Sequence, residues 1–498
     1  MLAHTPPVTP ETADPRRWLA LFLLLLASFM NLIDVTIVNV ALPAMQANLG
    51  ANSSQIEWVV AAYVLAFALG LLPFGRLGDI VGRKGMFIVG VIGFTLASAL
   101  CGLAPTIETL IGARVLQGFA GAMMTPQVLA IVQVIFPPKE RGVAFSFFGL
   151  AAGLASVTGP IIGGLLISAN LGGLDWRPIF LVNIPIGIFA AIAGALLINR
   201  VEPHPGLKND YLGIVLFGAL ILLLIFPLVE GRTYGWPLWT FAMMAASGVG
   251  IIAFYAWQKF RDRRNQAQLL PVALLENRNF LLGAFMTMIF FSGVPGLFMI
   301  LAIFFQSGFG LTPLESGFTT IPFPIGVLIA SVISGRLGAR YLSWRVAIGS
   351  LLLAVGMFYL RWTISGVGDS VDHWAFVPPL VIAGIGLGIG ISGLFQTILT
   401  GVPGRDAGSA SGALQAFQQV GSALGVALVG QIFFSWLEHA QEWGATSKAT
   451  AFVNAGVNAM TYEIAVFVVV AVLVLFLKPL PKSEMGYGKP AEPVVVET

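Results

Sequence analysis

The sequence predicts an all-α integral membrane protein with 14 transmembrane helices, built as two six-helix bundles with two further helices inserted between them. Three observations carry this. Of the 498 residues, 57% are apolar and only 10% charged, against about 25% charged in a soluble domain, and the mean hydropathy is +0.89. The apolar runs are long and unbroken, as spans of about 20 residues require, whereas a transmembrane barrel would show alternating segments of about ten. A short string also repeats at an offset that, together with the span count, fits a duplicated bundle with an insertion. The composition excludes an ordinary soluble enzyme, a disordered chain and a nucleic-acid binder.

Residues 1–15 form a polar tail. Arg16 and Arg17 precede an apolar run from Trp18 to about Leu42. This run is too long for a signal-peptide core and lacks a small-residue cleavage site, so it is expected to stay as the first span. The remaining apolar windows are 56–75, 86–104, 107–135, 142–169, 178–199, 211–230, 237–257, 279–306, 315–335, 344–362, 374–401, 408–434 and 461–479. An even count puts both termini on one side. With the termini cytoplasmic, 21 of the 26 basic residues fall inside and four outside, namely Arg177, Arg232, Arg361 and Lys448. A miscounted span would invert every later loop and spoil this split.

The string GRLG stands at Gly75–Gly78, closing the second span, and at Gly335–Gly338, closing the tenth. Two six-helix halves would match the second span to the eighth. The offset implies two inserted spans, the seventh and eighth, flanked by basic loops. The expected division is a tail 1–15, a bundle 16–200, a two-helix linker 201–278, a second bundle 279–480 and a tail 481–498. Duplicated helical halves are a transporter signature, with the substrate site near the midplane between them.

Asp34 reads as the single carboxylate well inside a span, and Arg114 as the single deep base. A charge at the bilayer centre costs about 2.5–3.5 kcal/mol or more. Asp34 lies roughly 12 Å inside the outer end of its span and Arg114 roughly 10 Å, at a rise of about 1.5 Å per residue. They are expected to pair, directly or through water. A fixed structural ion pair is the plainer reading; a proton-coupling pair is favoured, because a titratable carboxylate in a membrane pathway is the usual proton relay.

The stretch after the second span reads GRLGDIVGRKG, Gly75–Gly85. Its glycines allow a tight turn, and Asp79 with Arg83 can form a switchable charge network. Read alone, it is a plain positive-inside loop. The thirteenth span opens with Gly408, Ser409, Ala410, Ser411 and Gly412, small residues that admit a neighbour. Its unpaired first N–H groups favour a carboxylate there. A cytoplasmic latch is therefore expected from Gly75, Asp79, Gly82, Arg83 and Arg405. The fourth span carries RVLQG, with Gln117 one turn from Arg114. The fifth groups Gly153, Gly159, Pro160, Gly163 and Gly164, where Pro160 removes a helix hydrogen bond and the glycines admit another backbone.

Hydrolytic and metal chemistry have no signature. There is no P-loop and no HExxH. The one cysteine, Cys101, reads as a space-filler, and the four histidines lie outside the spans. No second deep carboxylate is expected. No cofactor is called for beyond a proton gradient, and no metal.

Together these motifs resemble the major facilitator superfamily, in its fourteen-helix drug/proton antiporter branch of the EmrB/QacA type. The resemblance covers nearly the whole chain. LIDVTIVNVALP, Leu32–Pro43, is close to that branch's first-helix hallmark. Trp58 and Tyr63 fit the second helix, and GRLGDIVGRKG is similar to the superfamily loop, with Ile80 where a basic residue is common. Arg114, Gln117 and Gly118 fit the fourth helix. The fifth resembles the antiporter signature of Gly159, Pro160, Gly163 and Gly164, with Ala155 in place of its first close-spaced glycine. WRPIFLVNIPIG, Trp176–Gly187, has Pro178 where an aromatic is common. In GSASGALQAFQQVGSALG, Gly408–Gly425, Gln418 stands where many members have arginine.

The resemblance implies proton-driven export of lipophilic drugs or toxic compounds by alternating access, from the inner membrane, by a monomer. It implies a cavity lined by Asn31, Thr36, Tyr63, Gln117, Met123, Gln396 and Gln415. Protons, lipophilic small molecules and the bilayer are the expected partners. A periplasmic adaptor suits this type, and no loop carries a site for one. Two alternatives stand beside it: a dedicated exporter of one metabolite, lipid or siderophore, and a non-transporting membrane sensor or scaffold. The buried pair and the glycine-rich loop argue against the last, which has no use for them.

Overall fold

A computed structural model describes residues 14–51, 53–199, 210–231, 234–337, 342–400, 402–403, 406–440, 442, 445 and 447–477. Among them the chain forms helices joined by short turns. The N-terminal half comprises α1 (Arg17–Leu49), α2 (Ser53–Val81), α3 (Arg83–Gly102), α4 (Ile107–Ile135), α5 (Pro138–Ala169), α6 (Pro178–Leu181) and α7 (Asn183–Leu197). Then come α8 (Tyr211–Glu230), α9 (Leu238–Arg263) and the short α10 (Val272–Leu275). The C-terminal half comprises α11 (Arg278–Ser292), α12 (Val294–Ile303), α13 (Pro313–Thr320), α14 (Pro322–Leu337), α15 (Leu342–Ser365), α16 (Val377–Thr400), α17 (Ala407–Glu438) and α18 (Lys448–Leu473).

Among the described residues, 12 helices are long and apolar enough to cross a membrane. The other two windows expected from the sequence fall on shorter apolar helices, Gly153–Ala169 and Glu315–Ala330. Caps and breakers set the ends. Thr106 and Thr109 form a reciprocal capping box at the start of α4, and Ser447 accepts from Thr450 N at the start of α18. Proline and glycine make the internal breaks. Pro295 has no N–H and crowds the carbonyl one turn back, so the rod of α11 and α12 breaks at Gly293.

The two halves repeat one packing plan. In the first, α1 lies against α5 and α7, α2 against α4, and α3 against α4 and α7. In the second, α11 and α12 lie against α17 and α18, α14 against α16, and α15 against α16 and α18. The halves meet through α2 on α17 and its mate α5 on α14, with α5 on α16 and α4 on α17. In lipid no hydrophobic force drives helices together, so close backbone approach matters most. Small residues supply it: a side chain at Gly118 would come within 2.5 Å of the Tyr63 carbonyl oxygen, and one at Gly384 within 1.9 Å of the Phe323 carbonyl oxygen.

The two helices of the linker stand apart from this plan. The principal neighbours of α9 are α8 and α10, and α8 bridges to α2 and α17. The outer face of α9 presents Phe241, Val249, Ile251 and Ile252, as a helix facing lipid would.

The structure corrects the sequence at three places. The stretch Gly75–Val81 is not loop: α2 continues through it, and the turn is Gly82 alone, at φ +106°. Gly75 and Gly78 serve contact rather than a bend, against Gly408 and Gln127. The last helix begins at Lys448, well before residue 461, because Asn454 and Asn458 lower the hydropathy of a segment that is nonetheless helical. That extension puts Glu463 deep within α18, fully buried, so a second deep carboxylate exists. Arg405 lies outside the described residues.

Candidate functional site

The Asp34 and Arg114 side chains meet directly. Arg114 Nη1 donates to Asp34 Oδ2, and both groups are sealed from solvent. Arg114 Nη1 also donates to Gln117 Oε1 at 2.6 Å, and Gln117 Nε2 donates to Asp34 Oδ1 at 2.8 Å. The i, i+3 spacing on α4 brings arginine and glutamine onto one face. Arg114 Nε donates to the Val59 carbonyl oxygen of α2 at 3.0 Å. The guanidinium lies 4.2 Å from the centre of the Tyr63 ring and 5.7 Å from that of Phe180. Fixed dipoles and aromatic faces thus surround a charge pair whose burial without such partners would cost several kcal/mol per ion.

Two members of this cluster are not singled out by the sequence, and a third is read there only as a space-filler. Asn183, at the start of α7, donates to Asp34 Oδ1 and to Ser98 Oγ, both at 3.3 Å. Ser98 of α3 also accepts from Gln117 Nε2 at 2.8 Å. Cys101 is more than a space-filler, with Sγ 3.5 Å from Gln117 Oε1. The signal for Asn183 was present: it is a lone amide in the apolar run PIFLVNIPIG. A neutral polar residue carries no charge alarm, so only its neighbours reveal its role.

The remaining cavity residues divide. Asn31 and Tyr63 converge on Gly121 of α4, where a side chain would lie 2.5 Å from Asn31 Nδ2 and 3.3 Å from the Tyr63 hydroxyl. Thr36 instead ties α1 to α5, donating to the Ala155 carbonyl oxygen at 2.9 Å. A side chain on Gly159 would collide with that Thr36 hydroxyl at 1.9 Å, and one on Gly163 would meet Ile37 at 2.9 Å. Gly164 faces open space, and Pro160 sits inside α5. The Met123 Cβ lies against Gly90 of α3. Gln396 and Gln415 are buried on α16 and α17; neither joins the Asp34 cluster.

At the other end of α2, Asp79 sits on the start of α17. Its Oδ1 accepts from Gly408 N at 3.0 Å, and its Oδ2 accepts from Ser409 N at 3.0 Å and Ser409 Oγ at 3.3 Å. Arg83, just past the Gly82 turn, donates to Asp79 Oδ1 from Nε at 3.1 Å and Nη2 at 2.9 Å. A side chain on Gly75 would come within 2.5 Å of the Gly408 carbonyl oxygen, and one on Gly412 within 2.6 Å of the Leu71 carbonyl oxygen. Arg76 approaches Asp406, the residue before α17, at 3.7 Å. The two halves are thus held together at this end by paired charges and bare backbone.

A sequence model described as the Major Facilitator Superfamily matches residues 24–426. The chain is 40% identical over 451 residues to a protein of Streptomyces coelicolor named a probable actinorhodin transporter, covering 90% of this chain and 77% of that one. It is 31% identical over 438 residues to the tetracenomycin C resistance and export protein of Streptomyces glaucescens, covering 87% and 78%. Its fold is similar to the solved proton:xylose symporter XylE, at a TM-score of 0.64 and 13% identity over 93% of this chain and 96% of that one.

Proposed function

The chain belongs to the Major Facilitator Superfamily, and from that premise we propose that it is a proton-coupled secondary exporter of lipophilic drugs or antibiotics, working by alternating access. The buried Asp34–Arg114 pair with its Gln117 and Asn183 contacts is the observation that carries this reading. The names of the two Streptomyces relatives, one a probable actinorhodin transporter and the other a tetracenomycin C resistance and export protein, support this substrate class. Each of these relatives is named for one compound, which favours a second reading, a dedicated exporter of a single metabolite, lipid or siderophore.

An ionised Asp34 balances Arg114. Protonation removes that balance and leaves the guanidinium held by an amide, a carbonyl and two rings. The arrangement then costs more, and opening to a wetter state becomes favourable. Export runs if protonation occurs from outside and release occurs inside. The membrane potential adds about 2.3 kcal/mol per charge per 100 mV.

In the proposed arrangement all fourteen helical rods span the inner membrane, with both termini cytoplasmic, as in the fourteen-helix antiporter branch. Residues 16–200 and 279–480 form the two bundles, 201–278 the linker, and 1–15 and 481–498 the tails. The monomer is the working unit, with no cofactor beyond the proton gradient. The Asp79–Arg83 cluster on α17 serves as the cytoplasmic latch. The test is efflux of a lipophilic dye from proteoliposomes under an imposed pH gradient. Gradient-dependent accumulation supports the reading, and flux that ignores the gradient refutes it.

A further inference from the structure

Glu463 lies at the sixteenth position of α18, about 22 Å along the helix axis from Lys448 at its start. It is fully buried, and among the described residues neither carboxylate oxygen has a hydrogen-bond partner. It faces the break between α11 and α12. A side chain on Gly293 would lie 2.8 Å from its Oε2, and one on Gly296 would lie 3.0 Å from its Oε1. The bare glycines make the room it occupies, with Val429 of α17 and Phe467 completing the wall.

The elements around it offer no counter-charge. α12 carries no ionisable residue, α11 has only Arg278 at its far end, and α17 has only Glu438 at its far end. On α15, Arg361 turns to the Val457 carbonyl oxygen at 3.2 Å, six residues along α18 and about 9 Å away along the axis. The titratable neighbour is Tyr462, whose hydroxyl donates to Ser292 Oγ at 3.0 Å instead. An ionised carboxylate has no compensation among these side chains. The packing suits a carboxyl that carries its own proton.

We propose that Glu463 is a second proton-binding site, in the C-terminal half, loaded while the α11–α12 break is closed and emptied when it opens. The repeat supports a working role. The helix pair α18 with α11 and α12 corresponds to the pair α7 with α1, across which Asn183 meets Asp34. Each half thus places one acid between its first and last helices. A helix broken at glycine and proline is where bending concentrates, so motion there would open Glu463 to water. On opening, the O–H bond breaks, the electron pair stays on the carboxylate and the proton leaves to water. The use of this proton in transport rests on the export reading above; its binding does not.

Infrared spectroscopy of the full chain in lipid vesicles tests this through the C=O stretch of a protonated carboxylic acid. A band is expected in wild type and Asp34→Asn that fades reversibly as pH rises, is lost in Glu463→Gln, and moves in frequency in Glu463→Asp. The Asp variant carries the assignment if the Gln variant does not fold. A band unchanged by either substitution overturns the proposal. So does a Glu463 band that persists until the protein unfolds, since that marks a permanent structural acid. Ethidium flux under a pH gradient, measured in the same vesicles, separates the two readings. A titrating Glu463 band without gradient-driven flux refutes export and leaves the proton site. Gradient-driven flux without a Glu463-dependent band refutes the site alone.

Discussion

Gln117 holds Asp34 with one end of its amide and Arg114 with the other: it donates at 2.8 Å and accepts at 2.6 Å. A neutral amide in this position keeps its bonding sense when Asp34 is ionised. When Asp34 is protonated, its hydroxyl competes for acceptors that Gln117 and Asn183 do not supply at Oδ1. The amide thus ties both members of the ion pair to one another.

Asp34→Asn mimics the protonated state and keeps the side-chain volume. It leaves Arg114 buried without its counter-ion, a loss of about 3–5 kcal/mol for such pairs. Uphill efflux should be abolished while membrane insertion persists. Proteoliposome flux beside expression level checks it, and a variant that still concentrates substrate removes Asp34 from the coupling role.

Asn183→Ala should act more gently. One hydrogen bond to a charged group is worth about 1.5–3 kcal/mol, and Asp34 keeps its bonds from Arg114 and Gln117. The pH profile of transport should move while maximal flux stays within about tenfold of wild type. Superimposable profiles would show that Asn183 only packs.

What the sequence conveyed follows from where charge and apolar runs speak clearly. Asp34 and Arg114 stood out because any charge in an apolar run is expensive. Asp79 and the small-residue start of α17 were readable as complementary because one is a carboxylate and the other exposes unpaired N–H groups. Asn183 and Ser98 were hidden because a polar residue within a helix gives no periodic or charge signal. Glu463 was hidden for a different reason. The polar residues before it dilute the hydropathy, so the helix seemed to begin two residues upstream of Glu463, and a buried acid read as a terminal one.

Gly412→Val should open the junction of α2 and α17, because its side chain would press on the Leu71 carbonyl oxygen from 2.6 Å. Gly164→Val is the control, since nothing lies within 4 Å of a side chain there. Thiol labelling of a cysteine at Ser409, buried in the closed arrangement, should rise in the first variant and stay low in the second. Equal labelling in both would mean that α2 and α17 separate at no cost.

Asp79→Asn tests the latch by removing charge without removing bulk. The carboxylate now accepts two backbone N–H groups at the start of α17 and both contacts from Arg83. An amide has one acceptor oxygen, so one N–H would face an NH2 group instead. The favourable interaction of a negative charge with the helix start, about 0.3–1 kcal/mol, would also vanish, and Arg83 would stay buried beside a neutral partner. The closed population should fall by at least about two- to fivefold, and transport with it. Orientation should hold, because the basic residues that set it are untouched. The measurement is cross-linking of cysteines placed at Arg76 and Asp406, which pair across the same junction. The natural Cys101 is buried and lies at the other end of the bundle. Unchanged cross-linking and unchanged transport in Asp79→Asn would reduce this cluster to a topological signal. A drop in both, with Arg76→Ala giving a smaller drop in transport because its contact is the longer one at 3.7 Å, would make Asp79 the residue that holds this end of the junction shut.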